Sequence, residues 1–336
     1  MRLGAFSISV IFASRWFIPS SGARVVGNKA SSRAFNLGAG MPKAFRMKPL
    51  QFLLASLVFV SSVLCCRADE PLVIHLWEKG APGFESLRDE PEVVKGTSYS
   101  HINNPSITVL PAPKEKANGT AILLIPGGGH RVLGFGGEGL EPAKFLNDLG
   151  VTVFILKHRL PREEGSPYSL DIHPRQDVQR AMRVIRSRAS EWNLDEKRIG
   201  VMGFSAGGEV VAMLVYSPTE GQPDSADPIE KMNCRADFQI SIYPGPLGIP
   251  AGPIAADAPP AFFVVANDDL SHVGPILDQL SKYEQAKRPV EVHLYARGAH
   301  GFGMGGHSKF ESIHSWPQRL AEWLHDSDLL PQPAAK

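Results

Sequence analysis

Ser205 stands in Gly203-Phe204-Ser205-Ala206-Gly207-Gly208, a G-x-S-x-G pattern. An apolar run of strand length, residues 198–202, precedes it, and a second apolar run, residues 209–216, follows and reads as a buried helix. Strand, sharp turn and helix is the context in which a serine hydroxyl is held out as a nucleophile, and glycines on either side let strand and helix pass closely. The pattern alone also fits a glycine-rich turn with an incidental serine. The reading therefore rests on partners elsewhere in the chain.

Three further strand ends carry such partners. Pro126-Gly127-Gly128-Gly129-His130 follows the apolar run 121–125. Consecutive glycines leave backbone N–H groups unshielded, so Gly128 and Gly129, together with the N–H of Ala206 beside the serine, suit an oxyanion hole; the alternative is a flexible turn. His130 is read either as a substrate contact or as a surface histidine. Asn267-Asp268-Asp269 follows the run 261–265, and a carboxylate there would orient a histidine and stabilise its imidazolium. Asp268 is preferred for that role, with Asp269 capping the next helix or facing solvent; that both merely cap is the alternative. His300, in Ala299-His300-Gly301-Phe302-Gly303 after the run 290–295, is the candidate base. His272 and His307 are its nearest rivals in sequence, but neither follows a strand end in the required order. The chain order Ser205, Asp268, His300 is that of α/β-hydrolases.

The elements that must position these residues alternate strand with helix. Strands are expected at 72–77, 107–110, 121–125, 151–156, 198–202, 238–243, 261–265 and 290–295, and helices at 141–149, 173–192, 209–216, 273–285 and 316–324. Such alternation implies an α/β architecture with a mostly parallel sheet covered on both faces, and ligands in such sheets bind beyond the carboxyl ends of the strands. No internal repeat and no second domain is evident: residues 69–336 read as one catalytic domain.

The 336 residues, 43% hydrophobic and 21% charged, suffice for one sizeable core. Nine basic residues and no acidic one precede Asp69, which leaves 26 basic against 34 acidic residues from there on. A nucleic-acid partner is excluded on charge grounds. Met47-Lys48, an apolar stretch at 49–66 and then Arg67-Ala68 fit a secretory signal cleaved after Ala68, with Met47 as an alternative start and residues 1–68 as extension plus signal. Export to the periplasm or beyond follows. Retention of the stretch as a membrane anchor and an organelle transit peptide are the competing readings. Cys65 and Cys66 fall in that stretch and Cys234 is alone in the body, so no disulfide framework is available.

Two other patterns are set aside. Gly134-Phe135-Gly136-Gly137-Glu138-Gly139 matches a dinucleotide fingerprint, but it lies beyond the strand end, and the next strand ends in Lys157-His158-Arg159 where an acid should meet ribose. Arg180, Arg183, Arg186 and Arg188 follow helical spacing and read as a solvated face. No His, Asp or Glu cluster has metal-ligand spacing, so neither metal nor cofactor is implied.

Taken with Leu76-Trp77, Gly80-Ala81-Pro82-Gly83 and the run Gln176-Asp177-Val178-Gln179-Arg180-Ala181, these motifs make residues 72–324 similar to α/β-hydrolases of the carbohydrate acetylesterase group, the acetyl xylan esterase-like or xylanase-associated esterases. The resemblance implies serine hydrolysis of a small acyl group, acetyl foremost, on a sugar hydroxyl. Leu270-Ser271-His272 departs from the Pro-Val-Val-like turn usual after the paired aspartates, which leaves Asp268 against Asp269 open. A prolyl-oligopeptidase-like peptidase and a general carboxylesterase are the alternatives within the fold, the absence of an added propeller or lid domain weighing against the former. A non-catalytic binding protein on a hydrolase scaffold is the alternative outside enzymology.

Overall fold

The computed structural model describes residues 71–331. The expectations for residues 1–68, signal segment, start site and anchor, lie outside the described residues. Among the described residues no helix is long and apolar enough to cross a membrane.

Among the described residues ten strands form: β1 Leu72–His75, β2 Val93–Lys95, β3 Ser98–Ser100, β4 Ser106–Leu110, β5 Ala121–Ile125, β6 Thr152–Lys157, β7 Ile199–Phe204, β8 Gln239–Ile242, β9 Ala261–Ala266 and β10 Val290–Tyr295. Eight of them make one sheet in the order β1-β4-β6-β5-β7-β8-β9-β10, and β2 with β3 forms a separate hairpin. Pairing is antiparallel at β1/β4 and β4/β6 and parallel from β6 through β10. The carboxyl ends of β5, β7, β8, β9 and β10 therefore leave the same edge.

The central strands are apolar throughout because both of their faces are covered. On β5, Ile122 and Leu124 enter one core with Ala143 and Leu146 of α1 (Glu141–Asp148), Ile276 and Tyr283 of α4 (Val273–Gln285) and Trp316 and Leu320 of α5 (Trp316–Asp326). Ala121, Leu123 and Ile125 enter the other, against Val178 and Ile185 of α2 (His173–Ser187) and Val210 and Leu214 of α3 (Ala206–Val215). The period-2 alternation of side chains divides the strand between the two layers.

Two sequence expectations change. The helix expected at 173–192 ends at Ser187 and continues as a 3₁₀ turn, Ala189–Trp192, closed by Asn193 in the left-handed region at φ 52°. More consequentially, the arginine row is not solvated. Arg180, Arg183 and Arg186 are buried. Arg180 donates to the Leu76 carbonyl and pairs with Glu230 and Asp227; Arg183 donates to the Met232 carbonyl; Arg186 donates to the Arg235 and Glu196 carbonyls and pairs with Asp237. The segment after α3 lies over this face of α2, and guanidinium forks satisfy its turn carbonyls. Arg188 alone pairs locally, with Glu191. Residues 216–234 thus cover α2.

Candidate active site

Ser205 sits between β7 and α3 with φ 50° and ψ −121°, a conformation that costs a non-glycine residue about 1–3 kcal/mol. Its surroundings hold it there. The Ser205 N–H donates to the Ile242 carbonyl at 2.9 Å, and its own carbonyl accepts from Gly208 and Glu209. A Cβ on Gly203 would lie 2.4 Å from the Gly207 carbonyl oxygen, and one on Gly207 would lie 2.1 Å from that of Ile125. Strand and helix thus pass at a separation that admits no side chain at either position.

His300, beyond the end of β10, brings Nε2 to 2.8 Å from Ser205 Oγ. Its Nδ1 lies 2.6 Å from Asp269 Oδ2. Of the two adjacent aspartates the structure thus places Asp269, not Asp268, against the imidazole. Backbone geometry decides this. The Asp269 N–H turns back to the Ala266 carbonyl, and the Asp269 carbonyl starts α4 by accepting from His272 and Val273. That turn points Asp269 inward, 6% exposed, and leaves Asp268 outside. Asp268 Oδ1 accepts from the N–H groups of Gly298 at 2.9 Å and Ala299 at 2.8 Å, so it ties the histidine loop to the β9 turn. The expectation that Asp269 caps α4 through its side chain or faces solvent is corrected accordingly.

His272, set aside on chain order, belongs to the same cluster. Its Nδ1 lies 2.7 Å from Asp269 Oδ1, and its ring stacks on that of His300 with centroids 3.9 Å apart and planes 21° apart. Asp269, His272 and His300 offer three potential metal-ligand atoms within 4.8 Å of one another. An imidazole, however, directs its lone pair in the ring plane, and two rings stacked in this way cannot both aim at one ion. The geometry is that of one carboxylate accepting two hydrogen bonds. No sequence signal beyond the i, i+3 spacing from Asp269 to His272 pointed to it.

The glycine loop after β5 abuts the nucleophile. A Cβ on Gly127 would lie 2.6 Å from the Phe204 carbonyl oxygen and 2.9 Å from Ser205 Cβ. Gly128, at φ 134°, and Gly129, at φ 66°, form a turn whose Gly128 carbonyl accepts from Arg131 and Val132. The Ala206 N–H lies in the first turn of α3, where helix donors have no intrahelical acceptor. His130 is neither at the surface nor open to substrate: it is 1% exposed, and its Nε2 lies 2.8 Å from Glu209 Oε2 of α3. This buried pair fastens the loop to the nucleophile's helix.

The glycine-rich stretch weighed as a dinucleotide fingerprint proves to be a π-helical segment, Gly136–Leu140, that carries Glu138 to the site. Glu138 Oε2 accepts from the Gly127 N–H at 2.8 Å, and Oε1 accepts from the Tyr243 hydroxyl at 2.8 Å. Burial pushes its carboxyl above the usual range, against the pull of Tyr243, Gly127 and His300. Tyr243, raised well above its ordinary value by burial, presents its ring edge to His300 at 4.9 Å. A cavity of about 380 Å³ opens beside His300, with Glu138, Phe302, Met304, Lys309 and Phe310 among its walls.

Comparison with known proteins finds relatives in both sequence and fold. Residues 109–242 match the BD-FAE family. The chain is 29% identical over 231 residues to an acetylxylan esterase of Xylanibacter ruminicola, an alignment covering 62% of this chain and 46% of that protein. It thus spans about half the length of that relative. The crystal structure of an acetyl ester-xyloside bifunctional hydrolase from Caldicellulosiruptor lactoaceticus superposes with a TM-score of 0.65 at 24% identity, over 78% of this chain and 98% of that one. MGS-M1, an alpha/beta hydrolase enzyme from a Medee basin deep-sea metagenome library, superposes at 0.53 with 19% identity, over 71% and 97%.

Proposed function

The chain has the α/β-hydrolase fold, and we propose that it is a serine esterase that removes small acyl groups, acetyl foremost, from carbohydrate hydroxyls. The observation that carries this reading is the hydrogen-bonded row Ser205 Oγ, His300 Nε2, His300 Nδ1, Asp269 Oδ2, with spans of 2.8 and 2.6 Å. Neutral His300 takes the Ser205 proton as Oγ attacks the ester carbonyl, and Asp269, in place of Asp268, orients the ring and stabilises the imidazolium. N–H groups of Gly128, Gly129 and Ala206 receive the oxyanion. Collapse of the tetrahedral intermediate expels the sugar alkoxide with the proton from His300. Water, activated by the same imidazole, then releases the acid from the acyl-enzyme.

The relatives' names support an ester on a sugar. The cavity beside His300 supports it too, since polar Glu138 and Lys309 stand with apolar Phe302 and Met304, a mixture suited to hydroxyls and ring faces. Export through residues 49–66 would deliver such an enzyme to extracellular polymer.

Ser205→Ala is expected to abolish hydrolysis of 4-nitrophenyl acetate and covalent labelling by an alkylphosphonate, with the fold intact by circular dichroism. Retention of either would overturn the assignment. On a panel of acetylated xylan, other acetylated sugars, feruloyl esters and aminoacyl arylamides, the acetylated carbohydrates should be the best substrates; preference for the arylamides would make the protein a peptidase.

A further inference from the structure

Three loops must keep their relative positions for the row from Ser205 to Asp269 to work: the glycine loop after β5, the turn after β8 and the histidine loop after β10. One side chain links all three, two of them directly and the histidine loop through the Tyr243 hydroxyl. Glu138 Oε2 accepts from Gly127 N–H in the first loop. Its Oε1 accepts from the hydroxyl of Tyr243, the residue after β8, and that hydroxyl accepts in turn from Gly303 N–H of the histidine loop at 2.9 Å. Trp316 Nε1–H closes the far side by donating to the Gly303 carbonyl at 3.1 Å. Tyr243 is itself held at φ 40°, a left-handed conformation that a non-glycine residue keeps only where its surroundings compel it. Its phenol ring meets both His300 and Phe302 edge-on.

We propose that Glu138 is a positioning residue for this site: through Gly127 and Tyr243 its carboxylate ties the glycine loop to the histidine loop and sets a second negative charge facing His300. The inference rests on the Ser205–His300–Asp269 reading and adds to it a carboxylate outside the triad. Space at Gly127 is consistent with a built contact, since a Cβ there would come within 2.6 Å of Glu138 Oε2. The titratable groups facing His300 are Asp269 beyond β9, His272 at the start of α4, Tyr243 beyond β8 and Glu138. Glu141, His307 and Lys309 line the same cavity. Of these, Asp269 fixes the ring from the Nδ1 side; Glu138 acts through the frame that holds the loops and through its charge.

Two variants separate these contributions. Glu138→Gln keeps the side-chain shape and removes the charge, whereas Tyr243→Phe keeps the charge and breaks the link to Gly303. With 4-nitrophenyl acetate, both should lower kcat about tenfold to hundredfold with KM within about twofold, because misplaced groups act on the transition state more than on ground-state binding. In Glu138→Gln the acid limb of kcat/KM should move to lower pH by about half a unit or more, because losing a neighbouring negative charge disfavours the imidazolium. In Tyr243→Phe the limb should stay in place. A structural role alone would move neither limb. Wild-type kcat in either variant, or an unmoved limb in Glu138→Gln, overturns the proposal; if Glu138→Gln does not fold, kcat of Tyr243→Phe decides alone. Stoichiometric phosphonate labelling in the variants, read against Ser205→Ala, separates failure of this proposal from failure of the triad reading.

Discussion

Asp269 offers one oxygen each to His300 and His272, whereas Asp268 is exposed and places a single oxygen on two backbone donors. The two neighbours should therefore respond to the same substitution to very different degrees. Asp269→Asn is expected to lower kcat on 4-nitrophenyl acetate by about 10⁴, since an amide in that position favours the wrong histidine tautomer. Asp268→Asn retains a carbonyl oxygen able to accept from both Gly298 and Ala299 and should remain within about threefold of wild type. Steady-state rates of the two purified variants check this, and the reverse ranking would return the orienting role to Asp268. Residue types and chain order were enough to single out Ser205 and His300 as candidates, but the carboxylate was not legible. Two identical residues in tandem differ only in the turn that points one inward, and that turn is made by backbone bonds to Ala266 and Val273 that leave no mark on composition.

At the scale of elements, legibility followed the strength of the apolar pattern. Strands β5, β9 and β10 and helix α4 carry long apolar or strongly periodic runs and match their expected bounds closely. The hairpin β2/β3 has three residues per strand, none of them buried, and gave no periodic signal. The π-helical segment that delivers Glu138 is three-fifths glycine, so it resembles a loop until tertiary contacts are known. Helix α2 shows the opposite failure: its arginine row has the period of a solvated face, and periodicity cannot reveal that another segment covers it. Arg186 is the sharpest case, bound to two carbonyls and to Asp237. Arg186→Gln should strip these partners and lower the free energy of unfolding by about 2–4 kcal/mol, read as a reduced urea midpoint. A midpoint unchanged from wild type would mean that the row is as dispensable as an exposed face.

For the whole molecule, a buried histidine whose ring lies 5.8 Å from that of His130 carries an acid sensitivity. His158, 1% exposed, donates through Nδ1 to the Arg159 carbonyl at 2.8 Å, and burial lowers its pKa to about 3. The folded state therefore resists a proton that the unfolded chain accepts below about pH 6.5. Since the unfolded state binds more protons in this window, stability is complete above pH 6.5 and is lost as pH falls toward 3. His158→Asn keeps a donor near the Nδ1 position without a titrating group. Between pH 7 and 4 the wild type should lose a few kcal/mol more than this variant in urea unfolding, roughly the linkage expected of one buried neutral histidine. Parallel stability profiles for the two would assign the acid sensitivity elsewhere.

One carboxylate with a histidine on each oxygen also couples the base to the start of a helix. His272 opens α4, stacks on His300 at 3.9 Å and shares Asp269 with it, so any displacement of the first turn of α4 reaches the His300 ring by two routes, through the carboxylate and through the stacked face.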